Sequence, residues 1–239
     1  MITIWTDGEL SQDLLFNRNS KPFGHTWEEW VSKWCKWALS IPKKENPCLD
    51  ITGTCCSVNQ TDKNVWFLAG TFGNTKTVRR KCTMPEGRAI FFPILEKEDS
   101  FAEDIHLSKE EELIERAKNS TDKVICMEAA IDGESVRFDH LENFRARSQV
   151  FDLVFPENNV YDVKAGPTRS VCDGFWLFIK PLTNGPHTLY FKGETMLAEP
   201  YIEDHMKRTE AYSNIRSHIF KNRSFILDVS YELTILSSG

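Results

Sequence analysis

Trp27, Trp30, Trp34 and Trp37 stand at i, i+3, i+7 and i+10 in the stretch "HTWEEWVSKWCKWALSIP". On an α-helix those positions share one face. The side chains between them include Glu28, Glu29, Ser32, Lys33 and Lys36, which suit water. Thr26 precedes the run and Glu29 follows three residues later, the spacing at which each caps the other's backbone N–H. Pro42 cannot continue a helix. The pattern predicts a packing helix over 25–41. Each indole buries on the order of 200 Å², and a lone helix has nothing to bury four of them against. The chain must therefore supply a sheet, or find a partner, to receive this face. An exposed aromatic platform for a sugar or another chain is the functional alternative. The mixed polar face argues against a helix lying on a membrane surface.

The remaining apolar runs are short and bounded by Gly, Pro and Asn, which predicts strands. They are "NVWFLAG" (64–70), "AIFFPIL" (89–95), "VFDLVFP" (150–156), "GFWLFIKPL" (174–182) and "PHTLYFKG" (186–193). "CMEAAIDGESV" (126–136) carries an Asp-Gly turn and predicts a hairpin. In "FILDVSYELTI", Phe225, Leu227, Val229, Tyr231, Leu233 and Ile235 alternate with mostly polar residues, as in a strand buried on one face. Seven or more such strands predict a mainly β chain: an antiparallel β-sandwich, jelly-roll or Ig-like, in one domain over 1–239. Two helical stretches interrupt it. "SKEEELIERAKNS" starts at Ser108 with Glu111 at capping-box spacing. Residues 201–223 read as an inserted surface segment, dispensable for folding, whose Tyr201, Met206, Tyr212, Ile215 and Ile219 could alternatively dock on a partner subunit.

The order of these segments resembles a family of uncharacterised microbial β-sandwich proteins, many of them secreted. Its features appear here as the Trp-rich helix, Asn46-Pro47, Asp50, Cys56 to Gln60, "VWFLAG", Cys82, "PEGRAIFFPI", "PENNV", "SVCDGFWLFIKPLTNGPHTLYF" and "DVSYELT". The likeness covers most of residues 25 to 235, with 201–223 as the main departure. Where family members carry a further cysteine, this chain reads "LEKEDS". The resemblance implies the fold and brings no activity with it.

The formal net charge of −6 argues against broad nucleic-acid binding, which needs a basic face. No apolar run approaches the roughly 20 residues of a membrane span. "MITIWTDGEL" lacks the basic and apolar regions of a secretory leader. A cytoplasmic protein is expected, or a secreted one if a leader has been removed. Seven cysteines cannot all pair within one chain. Reduced thiols in a reducing compartment are the expectation, and Cys56 with Cys82 is the pair to test.

Sites are sparser. "CDGFW…PHT" places Asp173, Trp176 and His187 where adjacent hairpin strands would bring the acid and the imidazole together, a general-base arrangement. The alternative has Asp173-Gly174 as a turn and His187 as a hydrogen-bonded strand residue. Cys56 with His187 is a thin protease candidate, and no GxSxG elbow is present. In "TKTVRRKC", Arg79 and Arg80 could hold a phosphate or an acidic partner. Trp66 and Trp176 are the aromatic candidates for a ligand. No His pair has metal-ligand spacing and no glycine-rich phosphate loop is present, so neither metal nor cofactor is expected. The leading expectation is a non-catalytic binding or interaction module for a small molecule, glycan or protein, with homo-oligomerisation open. The alternative is a hydrolase or lyase with a pocket around Asp173, Trp176 and His187.

Overall fold

The computed structural model describes residues 11–104, 106–197 and 216–237. The chain is mainly β, in two five-stranded sheets. The first holds β1 (Val65–Phe67), β3 (Ala89–Ser100), β8 (Gly166–Ile179) and β6 (Arg145–Arg147) in that order, with β7 (Phe151–Phe155) also on β8. The second runs β2 (Val78–Pro85), β10 (Ser224–Leu236), β9 (Gly185–Met196), β4 (Val124–Ile131) and β5 (Glu134–Ser135). Both sheets are mixed, which corrects the purely antiparallel expectation. β1 runs parallel to β3, and β2 parallel to β10.

Helix α1 (Trp27–Leu39) forms as its sequence predicts. Thr26 Oγ1 accepts from the Glu29 N–H, and the Glu29 carboxylate accepts from the Thr26 N–H. All four tryptophans are buried, so they present no platform. Their indole N–H groups donate to the carbonyls of Asn17, Pro22, Leu68 and Val58 in turn. None of these four buried indoles leaves its donor unpaired. The receiving surface is the first sheet: Phe67, Phe91, Trp176 and Phe178 cluster with the α1 tryptophans. The residues alternating with these, such as Ile90, Phe92, Leu177 and Ile179, join side chains of the second sheet in another cluster. The first sheet is thus covered on both faces. That explains why "AIFFPIL" and "GFWLFI" are continuous apolar runs, whereas β10 alternates.

β8 and β9 are consecutive in the chain but do not pair. β8 carries β3 on one side and β6 and β7 on the other, so it has no edge left. Residues 180–184 carry the chain into the second sheet, where β9 pairs with β10 in the register Phe191↔Val229. The expected "IDGE" hairpin forms between β4 and β5, with both Asp132 and Gly133 at positive φ, as a two-residue hairpin turn of this hand requires.

Helix α2 (Glu110–Thr121) starts one residue later than its sequence suggested. Glu112, not Glu111, accepts from the N–H groups of Ser108 and Lys109. Of the segment 201–223, residues 201–215 lie outside the described residues. Residues 216–222 form helix α3 (Arg216–Asn222), whose Ile219 is fully buried. The last part of the segment is thus anchored, not a free excursion. Cys56 and Cys82 are joined by a disulfide with a Cα–Cα separation of 5.9 Å, and the other five cysteines are free thiols. Among the described residues no helix is long and apolar enough to cross a membrane.

Candidate functional site

The structure separates Asp173 from His187. Asp173-Gly174 is no turn but the middle of β8, where a Cβ on Gly174 would lie 2.6 Å from the Leu95 carbonyl oxygen. Asp173 is buried, and its two carboxylate oxygens take Arg145 Nε at 3.1 Å and Nη2 at 2.8 Å. Its charge is spent on this fork. His187 lies in the other sheet. Its Nδ1 is 2.7 Å from Asp132 Oδ2, and its Nε2 is 2.9 Å from the Thr183 carbonyl. Burial works to lower the imidazole's pKa, but the Asp132 and Thr183 hydrogen bonds hold it above its ordinary value. His187 pins the β4–β5 turn to the start of β9. Cys56, its thin nucleophile partner, is held in the disulfide.

The ligand candidates fare similarly. Trp176 is fully buried, stacked on Phe91 at 5.0 Å. Trp66 is in the core between the sheets, with Arg88 over its ring. Arg79 is exposed on β2, but Arg80 is buried and points into a ring of carbonyls. The two arginines cannot clamp one anion. Among the described residues no group of three His, Cys, Asp or Glu side chains is placed to hold a metal ion.

A different site emerges along β3. β1 accompanies β3 only over Ala89–Phe91, and a register shift follows between Pro93 and Leu95. Beyond it a cleft of about 80 Å³ opens, several times the roughly 10–15 Å³ that houses one water. Its lining includes the aromatic side chains of Trp34, Phe72, Tyr161 and Phe225 and the charged side chains of Glu96, Lys97 and Glu98. Phe72 and Tyr161 meet edge to face at 5.6 Å. The loop Gly70–Phe72 brings its ring into the cleft because Gly70 can pass Leu227: a Cβ there would lie 2.4 Å from Leu227 Cδ1.

Behind the cleft stands a cluster of acids. Glu98 and Asp99 are each 2% exposed. Glu96 takes the Cys172 thiol at 3.2 Å, and Glu98 takes the Ser170 hydroxyl. Asp99 Oδ1 receives Lys97 Nζ and Arg116 Nε, each at 3.2 Å. Glu103 receives the Ser100 hydroxyl at 2.9 Å and lies 3.8 Å from Lys97 Nζ. Glu98 Oε2 and Asp99 Oδ2 are buried without any donor. Burial raises the pKa of all three β3 acids. For Glu96 burial alone dominates. Glu98 is pushed well up by burial and then by the charge and hydrogen bond of Glu103. Asp99 is pushed up to about 6 by burial, with Lys97 opposing and Glu103 adding.

The neighbouring thiols are poor nucleophiles. Burial raises Cys48 to about 12 and Cys172 well above its ordinary value, and a thiol held protonated does not attack.

The acid cluster escaped sequence analysis. "LEKEDS" looks like surface charge after an apolar strand, yet no Gly, Pro or Asn separates it from "FFPI". An unbroken strand carrying charges into the fold was the available signal.

The proton on Glu98 has a measurable consequence. Its folded pKa lies above the ordinary 4.5, so its contribution to stability is full below about pH 4.5 and is lost as pH rises toward and through the folded value. Glu98→Gln stays neutral throughout. Its stability relative to wild type should therefore grow above pH 4.5 by about 1.4 kcal/mol per pH unit, until the folded pKa is passed. Urea unfolding of both proteins from pH 4.5 to 8.5 measures this. A gap that stays flat, or shrinks as pH rises, would show that folded Glu98 is ionised.

No protein-family profile, curated protein or solved structure matches the chain.

Proposed function

We propose that the chain is a non-catalytic binding module that holds a small molecule in the cleft along β3. The observation that carries this reading is a lining that combines aromatic side chains with a buried carboxyl, Glu98, whose Oε2 has no donor. Apolar concavities with a few convergent polar groups are the usual form of a ligand site. The general-base reading at Asp173 and His187 loses its support, because each is spent on another partner. The two sheets share one core cluster, which supports a β-sandwich as the rigid frame behind the cleft. The Cys56–Cys82 bond fits an oxidising compartment better than the cytosol.

Leu197 is half-buried at the cleft and offers a way to close it. A ligand that binds only the native state raises its melting temperature. A thermal-shift screen of amines, sugars, carboxylates and neutral organics, run on wild type and on Leu197→Trp, should find compounds that stabilise wild type alone. The reading fails if hits stabilise both proteins equally, or if no class stabilises wild type.

A further inference from the structure

The charge around the cleft is unbalanced. β3 brings Glu96, Lys97, Glu98 and Asp99, and the following loop brings Glu103 and Asp104. α2 adds Arg116, and β8 adds Ser170 and Cys172. Cys35 of α1 and the loop Cys48 stand nearby as neutral thiols, and His106 lies beside Asp104. Among the described residues the second sheet contributes Thr195, Phe225 and Leu227 to the lining, and Leu197 follows directly after β9. Both basic side chains are committed: Lys97 to Asp99, Glu103 and the Glu98 carbonyl, and Arg116 to Asp99 and Asp104. Glu98, which lines the cleft, and Asp99 behind it still have one donorless oxygen each. Burying such an acceptor costs free energy until a proton or a cation meets it. The lining also carries the aromatic rings of Trp34, Phe72, Tyr161 and Phe225, and aromatic ring faces attract organic cations.

We infer that the cleft takes a small organic cation, an amine or ammonium compound with an apolar body, whose charge meets Glu98 and Glu96 while its carbon body lies against Trp34, Phe72 and Tyr161. This rests on the cleft being the ligand site. Lys97 and Arg116 cannot serve instead of the ligand, because releasing either would strip Asp99. Where the buried Glu98 carboxyl carries a proton, the arriving cation takes its place and that proton leaves to the solvent. Binding is therefore coupled to proton release and tightens as pH rises.

The test is calorimetric titration with n-butylammonium chloride, butan-1-ol, sodium butyrate and calcium chloride at constant ionic strength. Wild type, Glu98→Gln and Leu197→Trp are compared, with Glu96→Gln as a second charge variant should Glu98→Gln fold poorly. Butylammonium should bind wild type at least tenfold tighter than butanol. It should tighten from pH 5.5 to 7.5, lose at least tenfold in Glu98→Gln, and be excluded by Leu197→Trp. If butanol or butyrate binds as well as butylammonium and Leu197→Trp excludes them all, the cleft stands and the cation inference falls. Preferential binding of calcium overturns it in favour of a metal ion. If nothing binds, or if Leu197→Trp leaves binding intact, both the cleft and its cation are overturned.

Discussion

Trp176→Ala should cost about 4 to 5 kcal/mol of unfolding free energy, close to the upper range for a large core truncation. The indole is fully buried, and three elements depend on it. It stacks on Phe91 of β3 with rings 3° from parallel. Its edge meets Trp34 of α1 at 5.4 Å. Its Nε1 donates to the Ala146 carbonyl of β6 at 3.1 Å. Alanine empties that volume and also strands a buried acceptor, so a cavity cost and an unpaired-polar cost add. Trp176→Phe keeps most of the ring contacts and loses the donor; about 2 kcal/mol is expected. Urea denaturation followed by far-ultraviolet circular dichroism reads both. Against a total stability of about 5 to 15 kcal/mol for domains in general, the alanine variant should melt near ambient temperature. A loss below about 1 kcal/mol for Trp176→Ala, typical of surface positions, would mean that the indole is not core and would restore its candidacy as a ligand contact.

Much of the frame was legible in the chain, because local rules and burial agreed there. The indole stripe, the Thr26–Glu29 box and the Asp132-Gly133 turn each impose one geometry at short range. The β10 alternation specified which face is core. Legibility ended where long-range placement decides. "GFWLFIKPL" and "PHTLYFKG" look like a hairpin because a short turn-like stretch joins them, yet β8 was already saturated by β3, β6 and β7. Edge occupancy is a property of the whole sheet, and no window of sequence carries it. The same gap hid the site. Asp173 and His187 drew notice as residue types, but their partners Arg145 and Asp132 lie 28 and 55 positions away in the chain. Glu96 and Glu98 were passed over because charge usually signals water, and only the fold shows them walled in by α2, β8 and α1.

Arg80 gives the second large effect, since a guanidinium in the core cannot be removed without exposing its acceptors. It is 1% exposed and carries no carboxylate partner among the described residues. Its Nε donates to the Asp50 carbonyl at 2.7 Å. Its Nη1 reaches the carbonyls of Ala69 and Gly70 at 2.6 and 3.0 Å and the Tyr231 hydroxyl at 2.7 Å. Tyr231 in turn donates to Ala69 O at 2.8 Å. One planar fork thus ties β2 to β10, to the 48–50 loop and to the chain leaving β1 for the cleft. Arg80→Met fills much of the volume but orphans those acceptors, and about 3 to 4 kcal/mol should be lost. Arg80→Lys keeps the charge with three donors on a single nitrogen, which cannot span the same fork. It should lose about 2 kcal/mol, on the same scale of unpaired polar groups. Tyr231→Phe removes one node only, and its loss should not add to that of Arg80→Met, because the two share a network. Because Ala69 and Gly70 lead into the cleft wall at Thr71 and Phe72, both Arg80 variants should also speed amide hydrogen exchange at Gly73 and Asn74. Equilibrium unfolding and exchange measured on the same samples decide the matter. Arg80→Met within about 1 kcal/mol of wild type, the range of ordinary surface changes, would show that the carbonyl ring finds other donors and that the guanidinium does not organise this end of the cleft.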